Sequence, residues 1–515
     1  MENSGVYAVI EIGSTGIRLL VAENDGTARR AGEPRLRILD ESSRPVALGR
    51  DVFSSGAVSR ESFLECLSVL EACREQLGAW DIGESGIHIV ATSAVRAARN
   101  RDIFTDRIRH ETGLAVTVVE GIEENRLMYL ALRYALKNDV PRFWRANSMI
   151  LDVGGGSSEI MLLRRGKMVS SHSLRLGTIL MDQKRREGSA AFIERYIKEN
   201  VRNTQDFLND EMDLSAISAL VAAGSDVRQA AAHIGKKLNE NCMVIGKDDF
   251  MRFAKSVEHY SIEECVRRYN IPYADAEGFV PGLLIYRTFL ERTAAEELIV
   301  PDISVREGYL IDLVSGVDNE LRNDFYSQIT ASAVNLGRKY RFDEEHSRHV
   351  ARLCLSLFDA LEKEHGMNGH ERMMLETAAL LHDIGMFIRG SGHHLHGQYI
   401  VANSEIFGLK KEDMDIIGNV IRYHRDSPPS PADIEYLALQ REERILVLKM
   451  ASLLRVADAL DRGHSQRIKN ISVEKKTETL VIRTGESFDL SLEELGMRDK
   501  ADLFEEVFGY QVILG

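Results

Sequence analysis

Hydrophobic residues follow two different periods along the chain. In the N-terminal part, short apolar runs end at glycine turns and predict β-strands, which alternate with stretches of helical spacing. The predicted strands lie at residues 6–12, 17–22, 87–91, 115–119, 149–153 and 160–163, and a helix is predicted at residues 61–77. The order strand, glycine turn, strand occurs twice, as IEIGSTGIRLLV and as LDVGGGSSEIMLL. This repeat predicts a duplicated α/β domain with a cleft between its halves.

In the C-terminal part, from residue 319 on, amphipathic helices replace the strands. They are predicted at residues 343–365, 372–384, 413–423 and 442–460. Short strands return at residues 471–474 and 479–483, before a helix at residues 501–508. The fold class is therefore multidomain α/β plus all-α. The predicted domains are 1–126 and 127–318 for the two α/β halves, 319–466 for a helical domain and 467–515 for a small α/β domain.

Composition narrows the class of protein. The 515 residues are 44% hydrophobic and 28% charged, as in an ordinary globular protein, and they are too many for one hydrophobic core. No apolar run reaches the roughly 18–20 residues of a membrane span, and no secretory leader pattern is present, so we expect a cytoplasmic protein. The five cysteines form no CxxC pair. A net charge of -14 argues against general nucleic-acid binding, although it does not exclude a polyanionic substrate.

The second glycine turn has the composition of a phosphate loop. Residues 154–156 are glycines, whose backbone N–H groups can approach a phosphate closely, and Ser157 and Ser158 add hydroxyl donors. Asp152 and Glu159 flank the turn and would repel a bare phosphate. Their presence is consistent with a divalent cation, Mg²⁺ or Mn²⁺, between the carboxylates and the phosphoryl oxygens.

The first turn repeats this arrangement with Glu11, Gly13, Ser14, Thr15 and the basic Arg18. A single glycine turn is typical of a tight hairpin. Two such turns, each after a strand and each with an acidic residue two positions before its first glycine, favour phosphate binding.

Two further segments carry candidate chemistry. Glu123 and Glu124 open a predicted helix after a strand and a glycine. Acidic residues in a first helical turn often only interact with the helix dipole, and the alternative is a general base that activates water for attack on phosphorus. At another strand end, Thr92, Ser93 and Arg96 are candidates for clamping a phosphate, with the arginine binding in bidentate fashion.

These motifs together resemble the exopolyphosphatase/guanosine pentaphosphate phosphatase (Ppx/GppA) family of the actin-like ASKHA superfamily. The motifs are the two glycine turns, ATSAVRAARN (91–100), GIEENRL (121–127) and VREG (305–308). The resemblance implies duplicated ribonuclease-H-like domains around the cleft. It also implies hydrolysis of terminal phosphate from inorganic polyphosphate or guanosine pentaphosphate, with Mg²⁺ or Mn²⁺, by a homodimer.

Carried onto this sequence, the resemblance implies that Glu124 is the catalytic base. Metal ligands are expected at Glu11, Asp152 and Glu159. Phosphate contacts are expected from Gly13, Ser14, Thr15, Arg18, Ser93, Arg96, Gly154, Gly155, Gly156, Ser157 and Ser158.

The chain departs from the family pattern at two places. The family's first loop usually reads Asp-x-Gly-Ser-Asn-Ser, whereas this chain has Glu11, Thr15 and Gly16. The segment AAGSDVRQA (222–230) lacks the usual Gly-Gly-Thr and brings Asp226 near the expected phosphate site. Because metal geometry is sensitive to ligand length, these changes predict slower turnover or a different preferred metal.

Histidines and aspartates recur along the helical domain at positions that suit a transition-metal site. Their order resembles the HD superfamily of metal-dependent phosphohydrolases. The positions that match its ligands are His349, His382, Asp383 and Asp458, with His394 and His424 as candidates for a second divalent metal. A vestigial scaffold without metal is the alternative.

The predicted function is hydrolysis of a terminal phosphoric anhydride in the N-terminal cleft. Three alternatives stay open. In the first, the cleft is the site of a phosphotransferase. In the second, the HD-type domain is the hydrolase and the N-terminal half senses a nucleotide or polyphosphate. In the third, the protein is a non-enzymatic regulator that binds the alarmone.

Overall fold

The computed structural model describes all of the chain except short segments. These are residues 1–4, 25–35, 81, 137–140, 188–189, 315–318, 427, 431 and 485–488. The chain forms two compact units, Met1–Phe325 (unit 1) and Tyr326–Gly515 (unit 2). The four-domain division stays a prediction, and its first boundary, at residue 126, lies inside a helix. Among the described residues, no helix is both long and apolar enough to cross a bilayer.

The first sheet of unit 1 contains the first glycine turn. Its strands are β1 (Gly5–Ile12), β2 (Gly16–Asn24), β3 (Leu36–Pro45), β4 (Ile87–Ala91) and β5 (Val116–Val118). Their order is β3-β2-β1-β4-β5, with β1, β2 and β3 antiparallel and β4 and β5 added in parallel. The helices along this stretch are α1 (Leu48–Ser55), α2 (Arg60–Gly78), α3 (Ser93–Ala97), α4 (Arg101–Thr112) and α5 (Gly121–Leu136).

The second sheet contains the second glycine turn. Its strands are β6 (Asn147–Val153), β7 (Ser158–Arg164), β8 (Lys167–Leu174), β9 (Ala219–Ala223), β10 (Lys236–Asn239), β11 (Cys242–Gly246) and β12 (Glu297–Pro301). Their order is β10-β11-β12-β9-β6-β7-β8. The helices are α6 (Pro141–Arg145), α7 (Thr178–Glu187), α8 (Ala190–Asn209), α9 (Ser225–Ile234), α10 (Lys247–Val257), α11 (Ile262–Tyr269), α12 (Tyr273–Leu290) and α13 (Val305–Val314).

The two sheets share one core topology. In each, three antiparallel strands are followed by two parallel ones, β4 and β5 in the first sheet and β9 and β12 in the second. The glycine turns close in the same way, since the N–H of Gly13 donates to Gly16 O and that of Gly154 donates to Ser157 O, both at 2.9 Å. Two α/β sheet domains are thus present, and the predicted duplication is confirmed.

Strands β1 and β6, which lead into the glycine turns, are buried along their middle residues. Neighbouring residues Val9 and Ile10 on β1 are 0% exposed, as are Ile150 and Leu151 on β6. Because adjacent side chains on a strand point to opposite faces, both faces of each sheet are covered at these strands. Along β1 and β6, the partly exposed acidic residues Glu11 and Asp152 therefore lie at the strand ends, where the glycine turns begin.

Unit 2 is mainly helical and begins within α14 (Asn319–Lys339). Its other helices are α15 (Glu344–Ala360), α16 (Glu362–His365), α17 (Gly369–Leu381), α18 (His393–Ala402), α19 (Lys411–Arg422), α20 (Ile434–Leu437), α21 (Arg441–Ala459), α22 (Ser491–Lys500) and α23 (Asp502–Phe508). A three-stranded sheet in the order β13-β14-β15 consists of β13 (Ile471–Lys475), β14 (Thr479–Thr484) and β15 (Gln511–Leu514). Helices α15, α17, α19 and α21 pack against one another. The predicted change from strands to helices is confirmed.

One glycine sets the spacing of two helices of unit 1. A Cβ on Gly308 of α13 would lie 2.0 Å from the carbonyl oxygen of Leu127 on α5. Only glycine permits this approach of the two backbones. Because α5 carries Glu124, the predicted base, the contact fixes the position of a site residue.

Gly308→Ala is expected to lower the free energy of unfolding by about 1–3 kcal/mol, the usual cost of overpacking. Gly78→Ala is the matched control, because an added Cβ at the exposed end of α2 meets no atom within 4 Å. We expect the control to be neutral or to stabilise by about 0.4–1 kcal/mol. Chemical unfolding followed by circular dichroism measures both, and equal effects would contradict the role given to the Gly308 contact.

Candidate active site

The two glycine turns line the same cleft of unit 1. A Cβ on Gly155 would lie 2.6 Å from the Cβ of Ser14, so the second turn approaches the first because it lacks a side chain there. Ser14 Oγ is also 3.1 Å from Ser93 Oγ, within hydrogen-bond distance. The structure therefore brings together the three segments from which phosphate contacts are predicted.

Carboxylates are crowded along this cleft, which is lined by Glu11, Glu124, Asp152, Glu159 and Asp226. Burial, together with the nearby Glu124, raises the pKa of Asp152 to about 7 and that of Glu159 to about 8. Burial also raises the pKa of Glu124, although Arg96 opposes the shift. The pKa of Asp226 is raised to about 7, mainly by burial. The cleft thus disfavours its own ionised carboxylates.

Arginines offset part of this negative charge. Arg96 forms a close ion pair with Glu124, and its Nη2 lies 3.9 Å from Glu159 Oε1. The predicted phosphate ligand Arg96 therefore holds the predicted base in place. Arg18 Nη1 lies 3.9 Å from Glu11 Oε1, across the first hairpin.

The remaining carboxylates fit a divalent cation. Asp152 and Glu159 are directly opposite each other in the β6–β7 ladder. A positive ion favours the charged form of carboxylates whose pKa is raised. The donors are all oxygens, a set that suits Mg²⁺ or Mn²⁺. Asp152, Glu159 and Glu11 are the residues that would hold such an ion.

Two of the predicted phosphate ligands make other contacts. Ser158 is 0% exposed and donates its hydroxyl to the carbonyl of Leu176. Gly156 is packed so closely that a Cβ would lie 2.3 Å from the ring of Phe53. Both residues face the packed interior near the start of β7. For this reason the structure does not bring these two predicted phosphate ligands into the cleft.

Two arginines of the cleft were not among the site residues predicted from the sequence. Arg306 is 4% exposed, its Nε lies 3.6 Å from Glu11 Oε2, and its Nη2 donates to Glu41 Oε1 at 3.0 Å. Arg228 lines the cleft and donates to the carbonyl of Ile303 at 2.8 Å. Each follows the end of a parallel strand, a position that could have signalled them.

In unit 2, imidazoles and carboxylates from separate helices meet in one cluster, here called the His/Asp cluster. Groups with donor atoms within 4.8 Å of one another are His346, His382 and Asp458; His346, Asp383 and His464; and Asp383, His393 and His424. The Asp383 carboxylate lies between two sets of imidazoles. Its Oδ1 is 3.0 Å from His393 Nε2, and its Oδ2 is 3.6 Å from His382 Nε2.

Four histidines of the cluster have the same hydrogen-bonding pattern. Each Nδ1 is 2.7–2.8 Å from an oxygen, of Asp461 for His346 and of the carbonyls of Ala379, Gly390 and Ile421 for His382, His393 and His424. Because these oxygens accept, Nδ1 carries a hydrogen, which leaves Nε2 as the atom that can offer a lone pair to a metal. The Nε2 atoms of His346 and His382 are buried and have no hydrogen-bond partner among the described residues. Metal-binding histidines have this arrangement.

His349, a predicted ligand, is replaced in the cluster by His346, one helical turn earlier. Arg352 Nη2 is 3.0 Å from His349 Nδ1. Arginine only donates, so Nδ1 of His349 accepts and its hydrogen is on Nε2, which removes the lone pair needed for a metal.

His394, the other misplaced ligand, is replaced by its neighbour His393. His394 Nε2 lies 3.5 Å from Asp426 Oδ2, outside the groups of the cluster. The remaining predicted ligands of the helical domain do lie in the cluster. They are His382, Asp383, His424 and Asp458.

The aspartates of the cluster are held in the ionised form. Burial alone would raise the pKa of Asp383, but His382 and His393 outweigh it and lower that pKa below its usual range. Burial alone would also raise the pKa of Asp458. The pKa is nevertheless strongly lowered, mainly by the nearby Lys500. The Lys500 ammonium makes a close ion pair with Asp458 Oδ2.

The sequence profile of the Ppx/GppA phosphatase family matches residues 24–316, and the profile of Ppx/GppA phosphatase domain III matches residues 330–506. The chain belongs to the Ppx/GppA phosphatase family. The predicted enzyme class, phosphoric-anhydride hydrolase, is confirmed for this Ppx/GppA protein. The helical unit matches domain III of the same family, and its resemblance to the HD superfamily stays a prediction.

Known relatives of this Ppx/GppA protein are similar over most of its length. Guanosine-5'-triphosphate,3'-diphosphate pyrophosphatases of Pseudoalteromonas atlantica and Photobacterium profundum are 24% and 22% identical to it. Each match covers 88% of this chain, and 86% and 87% of the respective relative. A solved exopolyphosphatase structure from Cytophaga hutchinsonii has a TM-score of 0.53 at 20% identity, and the match covers 61% of this chain and 99% of that one. This last likeness shows the fold.

The stability of unit 1 is expected to depend on pH and on divalent metal together. A raised acid pKa, about 7 for Asp152 and about 8 for Glu159, contributes stability that is complete below the unfolded value and lost as pH rises through the folded one. Without divalent metal, we expect the Tm to fall from about pH 6 to about pH 8.5. Mg²⁺ should raise the Tm more at the higher pH.

Differential scanning fluorimetry with and without Mg²⁺ measures this effect. The double variant Asp152→Asn/Glu159→Gln removes both titrations and is the control. If its Mg²⁺-dependent gain in Tm still grows with pH as in the wild type, these carboxylates are not the metal ligands.

Proposed function

We propose that the cleft of unit 1 hydrolyses the terminal phosphoric anhydride of guanosine pentaphosphate or inorganic polyphosphate. The observation that carries this proposal is the meeting of two equivalent glycine turns beside buried carboxylates of raised pKa. The names of the curated relatives support a guanosine nucleotide, and the family resemblance supports polyphosphate. On the same resemblance, we propose a cytoplasmic homodimer.

In the proposed reaction, a water oxygen attacks the terminal phosphorus in line with the bridging oxygen. The water proton passes to Glu124, the bond from phosphorus to the bridging oxygen breaks, and its electron pair leaves with the shortened chain. A raised pKa makes Glu124 a stronger base than an exposed glutamate. The ion pair with Arg96 orients its carboxylate.

The groups around the phosphate have separate roles. The backbone N–H group of Gly155 donates to a phosphoryl oxygen, as do the hydroxyls of Ser14 and Thr15, whereas the N–H of Gly154 closes the turn. Asp152, Glu159 and Glu11 would hold a divalent cation, which would supply positive charge against the phosphoryl oxygens. Arg18, whose Nη2 donates to Thr15 Oγ1 at 3.1 Å, faces the same cleft.

Glu124→Gln is expected to reduce kcat by roughly 10²–10⁴-fold with little change in KM, because the amide binds like the carboxylate but accepts no proton. Glu120→Gln is the matched control, since that side chain is 58% exposed and lies just before α5. Phosphate release from both substrates with Mg²⁺ or Mn²⁺ measures the effect. Near-normal phosphate release by Glu124→Gln would show that another residue is the base. Turnover that requires ADP or an alcohol would favour phosphotransfer.

We also propose that the His/Asp cluster binds two divalent transition-metal ions with Asp383 between them. The first ion is held by His346 Nε2, His382 Nε2, Asp458 Oδ1 and Asp383 Oδ2, and the second by His393 Nε2, His424 Nε2 and Asp383 Oδ1. In the first set, Asp458 Oδ1 is 3.6 and 3.9 Å from the two imidazoles. In the second, the two Nε2 atoms are 3.3 Å apart.

The Nε2 separation in the second set suits a shared metal ion, and the separations in the first set are a few tenths of an ångström wider. Metal–ligand bonds of about 2.1 Å place neighbouring ligand atoms about 3–3.5 Å apart. Two imidazole nitrogens with inward lone pairs repel each other unless a proton or a cation lies between them. Imidazole-rich sets favour Mn²⁺, Fe²⁺, Co²⁺ or Zn²⁺ over Mg²⁺.

We expect the purified chain to bind two Co²⁺ ions when it is titrated with Co²⁺ in excess Mg²⁺. Absorption spectroscopy and elemental analysis measure the bound Co²⁺. His393→Gln should bind one, and the neighbouring control His394→Gln should bind two. Zero or one ion in the wild type, or equal loss in both variants, would refute the two-ion centre. Because the readout is metal content, it does not depend on activity in unit 1.

A further inference from the structure

A cavity of about 480 Å³ lies within unit 2 and is here called the helix cavity. Its walls come from α14, α15, α17 and the segment that follows α21. They are mostly apolar, since Ala351 and Leu380 are 4% and 2% exposed and Leu355 is half-buried. The volume lies within the roughly 300–1,000 Å³ usual for small-ligand sites, so the helix cavity has room for a small organic molecule.

Opposite charges line the helix cavity on two different helices. Arg348 and Arg352 lie one turn apart on α15, and Glu376 lies on α17. Arg352 donates to His349 and, like Glu376, has no partner of opposite charge within 4 Å among the described residues. Burial raises the pKa of Glu376, although Arg372 and Arg348 oppose the shift. Arg348 is therefore near enough to act on Glu376 without touching it, and the space between them is open to a ligand.

We propose that the helix cavity binds a free α-amino acid with an apolar side chain, and that this ligand acts on the His/Asp cluster. The carboxylate of the amino acid accepts from the guanidinium groups of α15, and its ammonium donates to Glu376. Its side chain lies against Leu355 and Leu380 and is removed from water. The charges select this class of ligand, because a free amino acid carries both on one carbon atom, whereas the end of a peptide carries only one.

Gln466 connects the helix cavity to the His/Asp cluster. It lines the cavity, its backbone N–H donates to Asp461 Oδ1 at 2.8 Å, and its Nε2 donates to Asp461 Oδ2 at 3.3 Å. The same Oδ2 accepts from Nδ1 of His346, a ligand of the first proposed ion. A ligand that contacts Gln466 thus restrains the carboxylate that orients His346. This step rests on the proposed two-ion centre, and by linkage metal and amino acid strengthen each other's binding.

The first experiment is isothermal titration of leucine into the purified chain, compared with three compounds that each lack one group. Isocaproate lacks the ammonium, isoamylamine lacks the carboxylate, and glycine lacks the apolar side chain. Each is expected to bind about ten-fold more weakly than leucine, or weaker still, because one charge-assisted hydrogen bond or one buried side chain is lost.

Two variants assign the charges of the ligand to residues. Glu376→Gln is expected to weaken the binding of leucine and isoamylamine about ten-fold and to leave isocaproate unchanged. Arg352→Gln should weaken leucine and isocaproate and leave isoamylamine unchanged. Glu412→Gln, at an exposed glutamate of α19 outside the helix cavity, is the control and should change none of them. A variant that fails to fold would lose all three compounds together and is recognised by that pattern.

The second experiment measures the affinity of the His/Asp cluster for Co²⁺. Saturating leucine is expected to lower the Kd for Co²⁺ about five-fold or more. Glycine at the same concentration is the control, because free glycine complexes Co²⁺ as leucine does. Gln466→Ala should remove the effect of leucine and still bind Co²⁺, since the backbone N–H of residue 466 continues to donate to Asp461.

The outcomes separate the amino-acid site from the metal centre. No binding of leucine at millimolar concentration, or binding of isocaproate or isoamylamine as tight as that of leucine, would overturn the amino-acid site. An equal Kd for Co²⁺ with leucine and with glycine would overturn the action on the cluster. Absence of Co²⁺ binding by the wild type would refute the two-ion centre, while the leucine titrations still report on the helix cavity.

Discussion

The repulsion among buried carboxylates governs the cleft of unit 1. The carboxyl groups of Asp152 and Glu159 lie side by side across one ladder, with Glu124 close enough to raise the pKa of both. At low dielectric, such a group of like charges is unfavourable unless a proton or a cation joins it. The fold nevertheless keeps them together, because the hairpin ladder and close glycine contacts leave the strand ends little freedom. Because these carboxylates repel one another, a positively charged group that binds among them would stabilise the site.

The two hairpins have the same geometry but opposite charge balance. In the first, the residue opposite Glu11 is Arg18, whereas in the second the residue opposite Asp152 is Glu159. The first hairpin therefore neutralises its own acid, with help from Arg306, and the second does not. The Glu11 carboxylate lies within 4 Å of two arginines, Arg18 and Arg306. The two halves of the duplicated motif thus differ in charge balance, with the larger excess of negative charge in the second.

The sequence predicted those features that depend on neighbouring residues. The glycine turns, the strands that flank them and the acids two positions before the glycines lie within short segments, so their pattern carries the information. Which histidines are ligands, in contrast, depends on residues that are far apart in the sequence. His346 and His349 are both buried on α15, and what separates them is the partner of Nδ1, which is Asp461 for one and Arg352 for the other. Asp461 is 115 residues away from His346, and single-sequence spacing contains no trace of that contact.

The two candidate metal sites differ in donor chemistry, and this difference has a consequence for how the protein responds to metals. The cleft offers carboxylate oxygens, which suit hard ions such as Mg²⁺, while the His/Asp cluster offers imidazole nitrogens with inward lone pairs, which suit first-row transition ions. In a solution containing both kinds of ion, the proposed cluster site would select the transition ion, because Mg²⁺ competes poorly for imidazole. Lys500 adds to the selectivity of the cluster by occupying Asp458 Oδ2, so that only Oδ1 of this carboxylate faces the imidazoles. Under the proposal, Mg²⁺ would load the cleft and leave the cluster free, so the chemistry of unit 1 could be assigned separately within the intact chain.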